Sequence, residues 1–230
     1  MKSLKRSAIW FCLLAFPLIS QAGLLGPSAY RGFADSPFKD LPTYFLENFE
    51  SGMLTIPNVT LSGGTILSPN DLTDSVDADD GTVDGFGFAG HSLYSSGASA
   101  LSFVFNATSL GTLPTHAGIV WTDVGFVDSG TLGYGKVNFS AYDQLGVSLG
   151  TVSADLGDGL FAGETDEDRF FGVVNAAGIS RIVIEMPNSL DWEVDHLQYS
   201  YAAPVPEPTT LALFGAGLAG LGAIRRRRKV

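Results

Sequence analysis

Alternation of apolar and polar side chains, interrupted every few residues by glycine, aspartate, asparagine or serine, is the feature that most limits how this chain can fold. In the run Lys136 to Asp143, the side chains of Val137, Phe139 and Ala141 point to one side and the polar residues between them to the other. A period of two residues is typical of a strand with one buried face. The run Leu101 to Phe105 repeats the pattern. Both runs therefore predict strands of antiparallel sheets.

The rest of the body, residues 23 to 205, predicts the same class of fold. It holds 24 of the 28 glycines of the chain and shows no helical periodicity longer than two turns. Short β-branched and aromatic runs between turn residues are typical of an all-β sandwich or barrel. We predict a single all-β domain, an antiparallel jelly-roll-like β-sandwich of about eight to ten strands. The further candidate strands are Tyr44 to Phe49, Gly118 to Val127, Gly146 to Ser153, Phe170 to Val174, Ile179 to Met186 and Trp192 to Tyr201.

Residues 1–22 predict a secretory signal peptide that signal peptidase removes. A cationic start is followed by the apolar run Ala8 to Ile19 and by the small residue Ala22 before Gly23. The alternative is an uncleaved anchor, but the apolar run is short for a membrane span. The only cysteine, Cys12, lies in this segment. The mature chain is therefore predicted to have no disulfide and no thiolate chemistry.

Residues 204–230 predict a membrane-retention signal that follows a β-sandwich domain at residues 23–203. Pro206, Glu207 and Pro208 precede an apolar stretch, residues 209–224, and a basic cluster follows it: Arg225, Arg226, Arg227 and Arg228. Sixteen helical residues span about 24 Å, which suffices for a transmembrane helix if the bilayer thins locally. The basic cluster stays cytoplasmic, so the body is expected to face outward.

This order of Pro-Glu-Pro, apolar stretch and arginines resembles the PEP-CTERM sorting signal of Gram-negative bacteria. The resemblance implies that exosortase, a membrane-embedded cysteine transpeptidase, recognises the three residues 206–208 and removes the tail. The helix and arginines would hold the protein transiently in the inner membrane until then. It also implies a destination at the cell surface or outside the cell, where many such proteins accompany exopolysaccharide. The alternative is an ordinary tail anchor with a proline-rich lead, which explains the helix and the arginines without a Pro-Glu-Pro signal.

The charge of the body excludes nucleic acid as a partner. Between residues 23 and 205, five basic residues stand against 23 acidic ones, a net charge of 5 − 23 = −18. A surface that binds nucleic acid needs clustered cations, and the body offers none in its sequence. The negative charge is instead expected to keep the released domain soluble.

An acidic segment suggests calcium as a structural cofactor. Six aspartates lie between Asp71 and Asp84, and crowded carboxylates require a hard cation or bulk solvent. Asp77 and Asp79 fit the first two ligand positions of an EF-hand loop, but Gly81 stands where a third ligand belongs. A solvated loop is the alternative interpretation.

The two ends of the body also resemble the first and last strands of carbohydrate-binding jelly-rolls. The residues that carry the resemblance are the opening run Phe45 to Glu50 and the closing run Val194 to Tyr199. In those modules a structural calcium often joins the first and last strands. The resemblance therefore implies Glu50 and Asp195 as calcium ligands.

Binding is the function that the sequence favours over catalysis. The three histidines lie far apart without zinc-site spacing, and no Gly-x-Ser-x-Gly motif is present. We expect a polysaccharide-associated binding or structural module. The aromatic residues that could stack on sugars, unless they are buried in the core, are Trp121, Trp192, Tyr94 and Tyr134.

Two other hypotheses remain. A secreted polysaccharide hydrolase or lyase would use carboxylates such as Glu164 and Asp195. An ice-contacting or matrix role ranks below it, because the sequence lacks regular threonine arrays.

Overall fold

The chain forms two antiparallel sheets that share one core, as seen in a computed structural model. The structure describes residues 22–69, 73–77, 90–108, 111–124, 135–156 and 168–201. Apart from Ala22, the predicted signal peptide and the sorting tail lie outside these ranges. Within them, we find no helix with the length and apolar character needed to cross a membrane. Among the described residues, Phe33–Asp35 forms a 3-10 turn.

The larger sheet has seven strands, and we call it the covered sheet. Six of them follow in the spatial order β1 (Gly23–Ala29), β10 (Arg169–Val174), β7 (His116–Asp123), β12 (Glu193–Ser200), β5 (Leu93–Tyr94) and β4 (Thr65–Ile66). The seventh, β2 (Tyr44–Glu47), pairs with the second half of β12, on the side where β5 pairs with its first half.

The smaller sheet has five strands, and we call it the open sheet. Its spatial order is β3 (Val59–Leu61), β6 (Ala100–Phe105), β11 (Arg181–Glu185), β8 (Lys136–Tyr142) and β9 (Ser148–Asp155). The predicted alternation is confirmed here, since Val137, Phe139 and Ala141 are buried and the residues between them are less buried. Leu101, Phe103 and Phe105 are likewise buried.

The shared core lies between the inner faces of the two sheets. Phe139 of the open sheet stacks on Phe171 of the covered sheet, with ring centroids 6.3 Å apart. Trp121 also contacts Phe171 edge to face, at 5.6 Å. Aromatic pairs at these distances add to the stabilisation that burial of their area gives. The two sheets are therefore joined by one continuous apolar layer.

The covered sheet owes its name to a second layer on its outer face. Both faces of β7 and β12 are buried. Tyr30 and Phe38, from the segment between β1 and β2, pack there with Val76 against Val120 and Phe170. The chain thus places a loop layer where a sandwich of two sheets alone would meet solvent.

Glycine at position 118 makes room for this outer layer. A Cβ atom there would lie 2.4 Å from Cζ of Phe170 and 2.6 Å from the backbone oxygen of Phe171. Both distances are too short for any carbon contact, and the backbone oxygen cannot swing away. Gly118 therefore lets the Phe170 ring lie flat on the sheet below Tyr30, its stacking partner at 6.2 Å.

Candidate functional site

The calcium ligands predicted within the described residues lie in one hydrogen-bonded cluster. Glu50 follows β2, and Asp195 lies on β12, the strand with which β2 pairs. The hydroxyl of Ser75 lies 3.3 Å from a carboxylate oxygen of Glu50 and 3.1 Å from one of Asp195. Asp77 contacts His196, the neighbour of Asp195. Asp79 lies outside the described residues, so the structure brings together Glu50, Asp77 and Asp195.

Asp195 is completely buried and surrounded by donors. Its carboxylate accepts hydrogen bonds from the backbone N–H of Val76 at 3.1 Å and of His196 at 2.6 Å, besides the contact to Ser75. Burial raises the pKa of Asp195 to about 7, and the neighbouring imidazole and the donors offset this only in part. The carboxyl group therefore holds residues 75 and 76 against β12.

A chain of side-chain hydrogen bonds runs beside Asp195. The Gln198 amide donates to the Tyr30 hydroxyl at 2.9 Å, and that hydroxyl lies 2.9 Å from Nδ1 of His196. Nε2 of His196 lies 3.2 Å from Asp77. Since Tyr30 accepts from Gln198, its own O–H is free to donate to Nδ1, and Nε2–H then donates to Asp77. This tautomer of a neutral His196 satisfies every member of the chain.

Charge and burial act in opposite directions on His196 and Asp77. Burial lowers the pKa of His196, but the hydrogen bond to Asp77 and the charges of Asp195 and Asp77 outweigh it, so the pKa lies above its ordinary value. The hydrogen bond from His196 in turn lowers the pKa of Asp77. The pair therefore favours an ionised Asp77 next to a histidine that gains a proton readily.

Glu193 is the second buried acid of β12. Its carboxylate accepts a hydrogen bond from the backbone N–H of Asp74 at 2.9 Å and another from the hydroxyl of Ser92. Burial raises the pKa of Glu193 to about 8, and the charges of Asp123 and Asp191 add to the rise. The two hydrogen bonds lower the pKa but do not outweigh burial. Residues 74 to 77 are thus joined to β12 at Glu193, Asp195 and His196.

The described residues do not form a metal site by themselves. In the ranges given above, no group of three or more His, Cys, Asp or Glu side chains has a suitable arrangement. The oxygens of Asp195 and Glu193 are instead directed at protein donors. Calcium at Glu50, Asp77, Asp79 and Asp195 stays a prediction from the sequence.

The order Asp77, His196, Tyr30 resembles an acid–base relay, but its geometry serves packing. Tyr30 has no exposed surface and His196 is 1% exposed, so a substrate has no access to either ring. Burial also raises the pKa of Tyr30 far above its ordinary value, which removes it as a nucleophile or base. The arrangement binds the outer layer to β12.

The outer face of the open sheet is a different kind of surface. Its side chains are exposed or half-buried and alternate with the buried residues of the core. We define it as the open face: Thr60, Ser102, Val104, Asn138, Ser140, Tyr142, Thr151, Ser153, Arg181, Val183 and Glu185. Six of these eleven residues have a hydroxyl group. The face is therefore polar without being strongly charged.

Cross-strand hydrogen bonds order the open face. The hydroxyls of Ser140 and Thr151 lie 2.8 Å apart, and the hydroxyl of Ser153 donates to Asn138 at 2.7 Å. The Arg181 guanidinium carbon lies 4.2 Å from the centroid of the Tyr142 ring. Such a pair is a cation–π contact that fixes the position of both side chains.

The aromatic residues proposed for sugar stacking have different fates. Trp121 and Trp192 have no exposed surface and contact each other in the core, with centroids 5.8 Å apart. They cannot meet a sugar, so the core alternative applies to both. Tyr94 is half-buried on β5, and Tyr134 lies outside the described residues. Tyr142, which the sequence did not single out, is the aromatic ring of the open face.

Sequence patterns also missed most of the buried polar network. Tyr30, Ser75 and Gln198 are buried, and their bonds join distant parts of the chain: Gln198 donates to Tyr30, 168 residues away, and Ser75 donates to Asp195. The only local signal concerns Gln198, which lies between the apolar residues Leu197 and Tyr199 on the closing strand. That alternation usually indicates a solvated face, and it gives no information about the segment that covers it.

Comparison with known families identifies the C-terminus. A family model described as the PEP-CTERM protein-sorting motif matches residues 204–228. This match includes the predicted recognition residues 206–208 and Arg225 to Arg228. No curated protein matches the chain.

The motif indicates how the protein is sorted and does not indicate an activity. A chain with this motif is exported, is anchored transiently in the membrane and is processed by exosortase. The protein is therefore an exported, exosortase-sorted protein whose body is built from β-sheets.

Proposed function

We propose that the protein, once released, binds a neutral polysaccharide outside the cell through its open face. The observation that carries this proposal is the contrast between the sheets. The outer-facing residues of β7 and β12 in the covered sheet are buried, whereas those of the open sheet present hydroxyl, amide and guanidinium groups. A broad, rigid polar face suits a ligand that is itself a chain of hydroxyl groups.

The side chains of the open face are already positioned for such a ligand. The hydroxyls and the Asn138 amide bond to one another across strands, and sugar hydroxyls can replace these partners one for one. Arg181 covers one face of the Tyr142 ring, and the proposal assigns the other face, an apolar plane with a polar rim, to stacking on a sugar. Little side-chain freedom is lost on binding, because the groups are ordered beforehand.

Charge selects neutral glycans over acidic ones. The body has a net charge of −18 between residues 23 and 205, so an anionic polysaccharide is repelled at low ionic strength. On the open face itself, Arg181 and Glu185 cancel. A neutral chain therefore meets no net repulsion there.

The position of Asp195, one of the two carboxylates that the hydrolase hypothesis needs, argues against catalysis. The hydrolase alternative uses Glu164, which lies outside the described residues, and Asp195. Asp195 has no exposed surface and accepts several hydrogen bonds from the protein. A carboxylate in that position does not reach a glycosidic bond, and we therefore propose a non-enzymatic role.

We expect Tyr142→Ala to weaken retention on an insoluble neutral glucan about tenfold, a loss of about 1.4 kcal/mol, because tyrosine is enriched among the few residues that carry most of the energy of an interface. The measurement is a binding isotherm with protein purified from the exporting cells. Tyr94→Ala, a matched change on the covered sheet, is expected to bind like the parent. The same protein should not be retained on alginate, an anionic polysaccharide. Equal binding by both tyrosine variants would overturn the assignment of the open face.

We also expect the protein recovered from culture to begin at Gly23 and to lack its C-terminal arginines. Removal of both ends follows from the predicted signal peptide and from the sorting motif at 204–228. Mass spectrometry of the intact protein measures both termini at once. A recovered protein that retains Arg225 to Arg228 would contradict exosortase processing, and with it the proposal of an extracellular ligand.

A further inference from the structure

Both ends of the described chain leave the sandwich at one and the same end. Gly23, the first residue of β1, pairs with Val174, and Val174 pairs with His116 at the start of β7. His116 also pairs with Ser200, the last residue of β12. These four residues form one row across the edge of the covered sheet, which we call the terminal end.

The β8–β9 hairpin belongs to the terminal end as well. Three backbone hydrogen bonds connect the edge of the covered sheet to that of the open sheet: from Thr115 to Ser200, from Ile179 to Pro114 and from Ser180 to Tyr142. Tyr142 is the last residue of β8 and pairs with Ser148 at the start of β9. The turn between them, residues 143–147, therefore projects beyond the paired strands at the end where the chain exits.

The tip of this hairpin exposes two apolar side chains. Leu145 is 80% exposed and Val147 is 58% exposed, among the largest exposures of apolar residues in the described chain. Asp143 accepts hydrogen bonds from the N–H groups of Leu145 at 2.8 Å and Val147 at 2.9 Å. The only carboxylate of the turn is thus engaged with the backbone, and the turn is preformed.

Charge is distributed unequally between the two ends of the sandwich. The described loop residues of the terminal end, 106–108, 111–115 and 175–180, include no Asp, Glu, Lys or Arg. The strand ends at the opposite side carry Asp123, Asp155, Glu185 and Glu193 against two cations, Lys136 and Arg169. In a body with a net charge of −18, the terminal end is the part that approaches an anionic surface with the least repulsion.

We propose that the terminal end faces the membrane while the sorting tail is intact, and that Leu145 and Val147 contact the lipid headgroup region. Seven residues lie between Tyr201 and Thr209, the first residue of the apolar stretch, so eight Cα–Cα steps connect the two. A chain of that length spans at most about 29 Å, which keeps the terminal end close to the bilayer. The opposite end of the sandwich, which we call the acidic end because it carries Asp123, Asp155, Glu185 and Glu193, then points away from anionic lipid. The proposal rests on the sorting tail and is independent of polysaccharide binding.

The proposed contact between the hairpin tip and the membrane is weak and therefore reversible. Two apolar side chains give weak membrane affinity on their own, since stable anchoring needs a second element. The tail supplies that element until exosortase removes it. The hairpin therefore orients the tethered domain without holding the released one.

A fluorescent probe at the hairpin tip tests the proposal. Cys12 is the only cysteine of the chain, so a Cys12→Ser background accepts single labels. Leu145→Cys is labelled with the environment-sensitive dye NBD in protein that keeps its tail, isolated from cells without exosortase. Leu190→Cys is the matched control, because Leu190 is also an exposed leucine, at 55%, and precedes β12 at the acidic end.

The emission of each probe is compared before and after reconstitution of the protein into vesicles of phosphatidylethanolamine and phosphatidylglycerol. We expect the emission of the probe at position 145 to rise and shift to shorter wavelength, and to be quenched by nitroxide-labelled headgroups. The probe at position 190 should show neither change. Equal responses at both positions, or none at 145 in vesicles that hold the protein, overturn the proposal. A response at 145 that requires added exosortase overturns it too, and assigns the surface to a protein partner.

Discussion

Glu193→Gln is expected to stabilise the protein on the order of 4 kcal/mol at about pH 9 and far less at about pH 5. Glutamine is nearly isosteric with the protonated acid, and its amide oxygen can still accept the bonds from Asp74 and Ser92. Its amide nitrogen carries no charge to bury. The variant therefore removes the cost of ionising a buried group and keeps the contacts.

The direction of this pH dependence follows from which state, folded or unfolded, binds the proton of Glu193 more tightly. Burial raises the pKa of Glu193 from 4.5 to about 8 in the folded protein. The folded state thus holds the proton more firmly than the unfolded state does. The stability from this group is fully present below about pH 4.5 and is lost as the pH rises through about 8. Asp195, whose pKa burial raises to about 7, acts in the same direction.

Urea unfolding of parent and variant across this pH range measures the difference. Glu185→Gln is the matched control, because Glu185 is half-buried on the open face and makes one hydrogen bond, to Asn138. Its effect is expected to stay within about 0.5 kcal/mol, as for most surface changes. A Glu193→Gln variant whose free energy of unfolding differs from the parent equally at both pH values contradicts the assignment.

Local alternation was sufficient to predict three strands of the open sheet. β6, β8 and β11 lie where the apolar period of two residues placed them, with ends that differ by a few residues. β4 and β5 have two residues each, and so short a strand shows no period. β1 contains two glycines and a proline, residues that normally predict a turn. Its pairing with β10 depends on contacts that are distant in sequence.

Only the part of the candidate site that resembles jelly-roll strands could be predicted from the sequence. Likeness to jelly-roll strands placed Glu50 near Asp195, and the structure shows that both contact Ser75. Nothing local indicated that residues 73–77 would cover β12. A polar residue on a strand looks the same in sequence whether solvent or another segment lies above it.

Burial of β12 on both faces explains why its outer residues are so closely paired. A polar group removed from water is costly unless it forms a hydrogen bond. Asp195, His196 and Gln198 all find partners in Tyr30 or in residues 75–77. The same bonds fix the outer layer in one position. The polar network therefore gives the covered face its structure.

His196→Leu is expected to destabilise the protein by about 3 kcal/mol, the range for a broken buried polar network. Leucine neither accepts from Tyr30 nor donates to Asp77, and the completely buried Tyr30 loses the imidazole nitrogen that accepts its O–H. Position 196 also has a φ of 46°, which a leucine adopts at a cost of about 1 kcal/mol. His196→Asn separates the two effects, because asparagine tolerates this conformation but is too short to bridge Tyr30 and Asp77.

A double-mutant cycle with Tyr30→Phe decides whether the network acts as a unit. If Tyr30 and His196 stabilise each other, the loss from His196→Leu in the Tyr30→Phe protein should be smaller than in the parent by about 1 kcal/mol. The measurement is the free energy of unfolding of the four proteins near neutral pH. Strictly additive losses would show that Tyr30 and His196 stabilise the fold separately. In that case Asp77, and not the tyrosine, would be the partner that holds the imidazole in place.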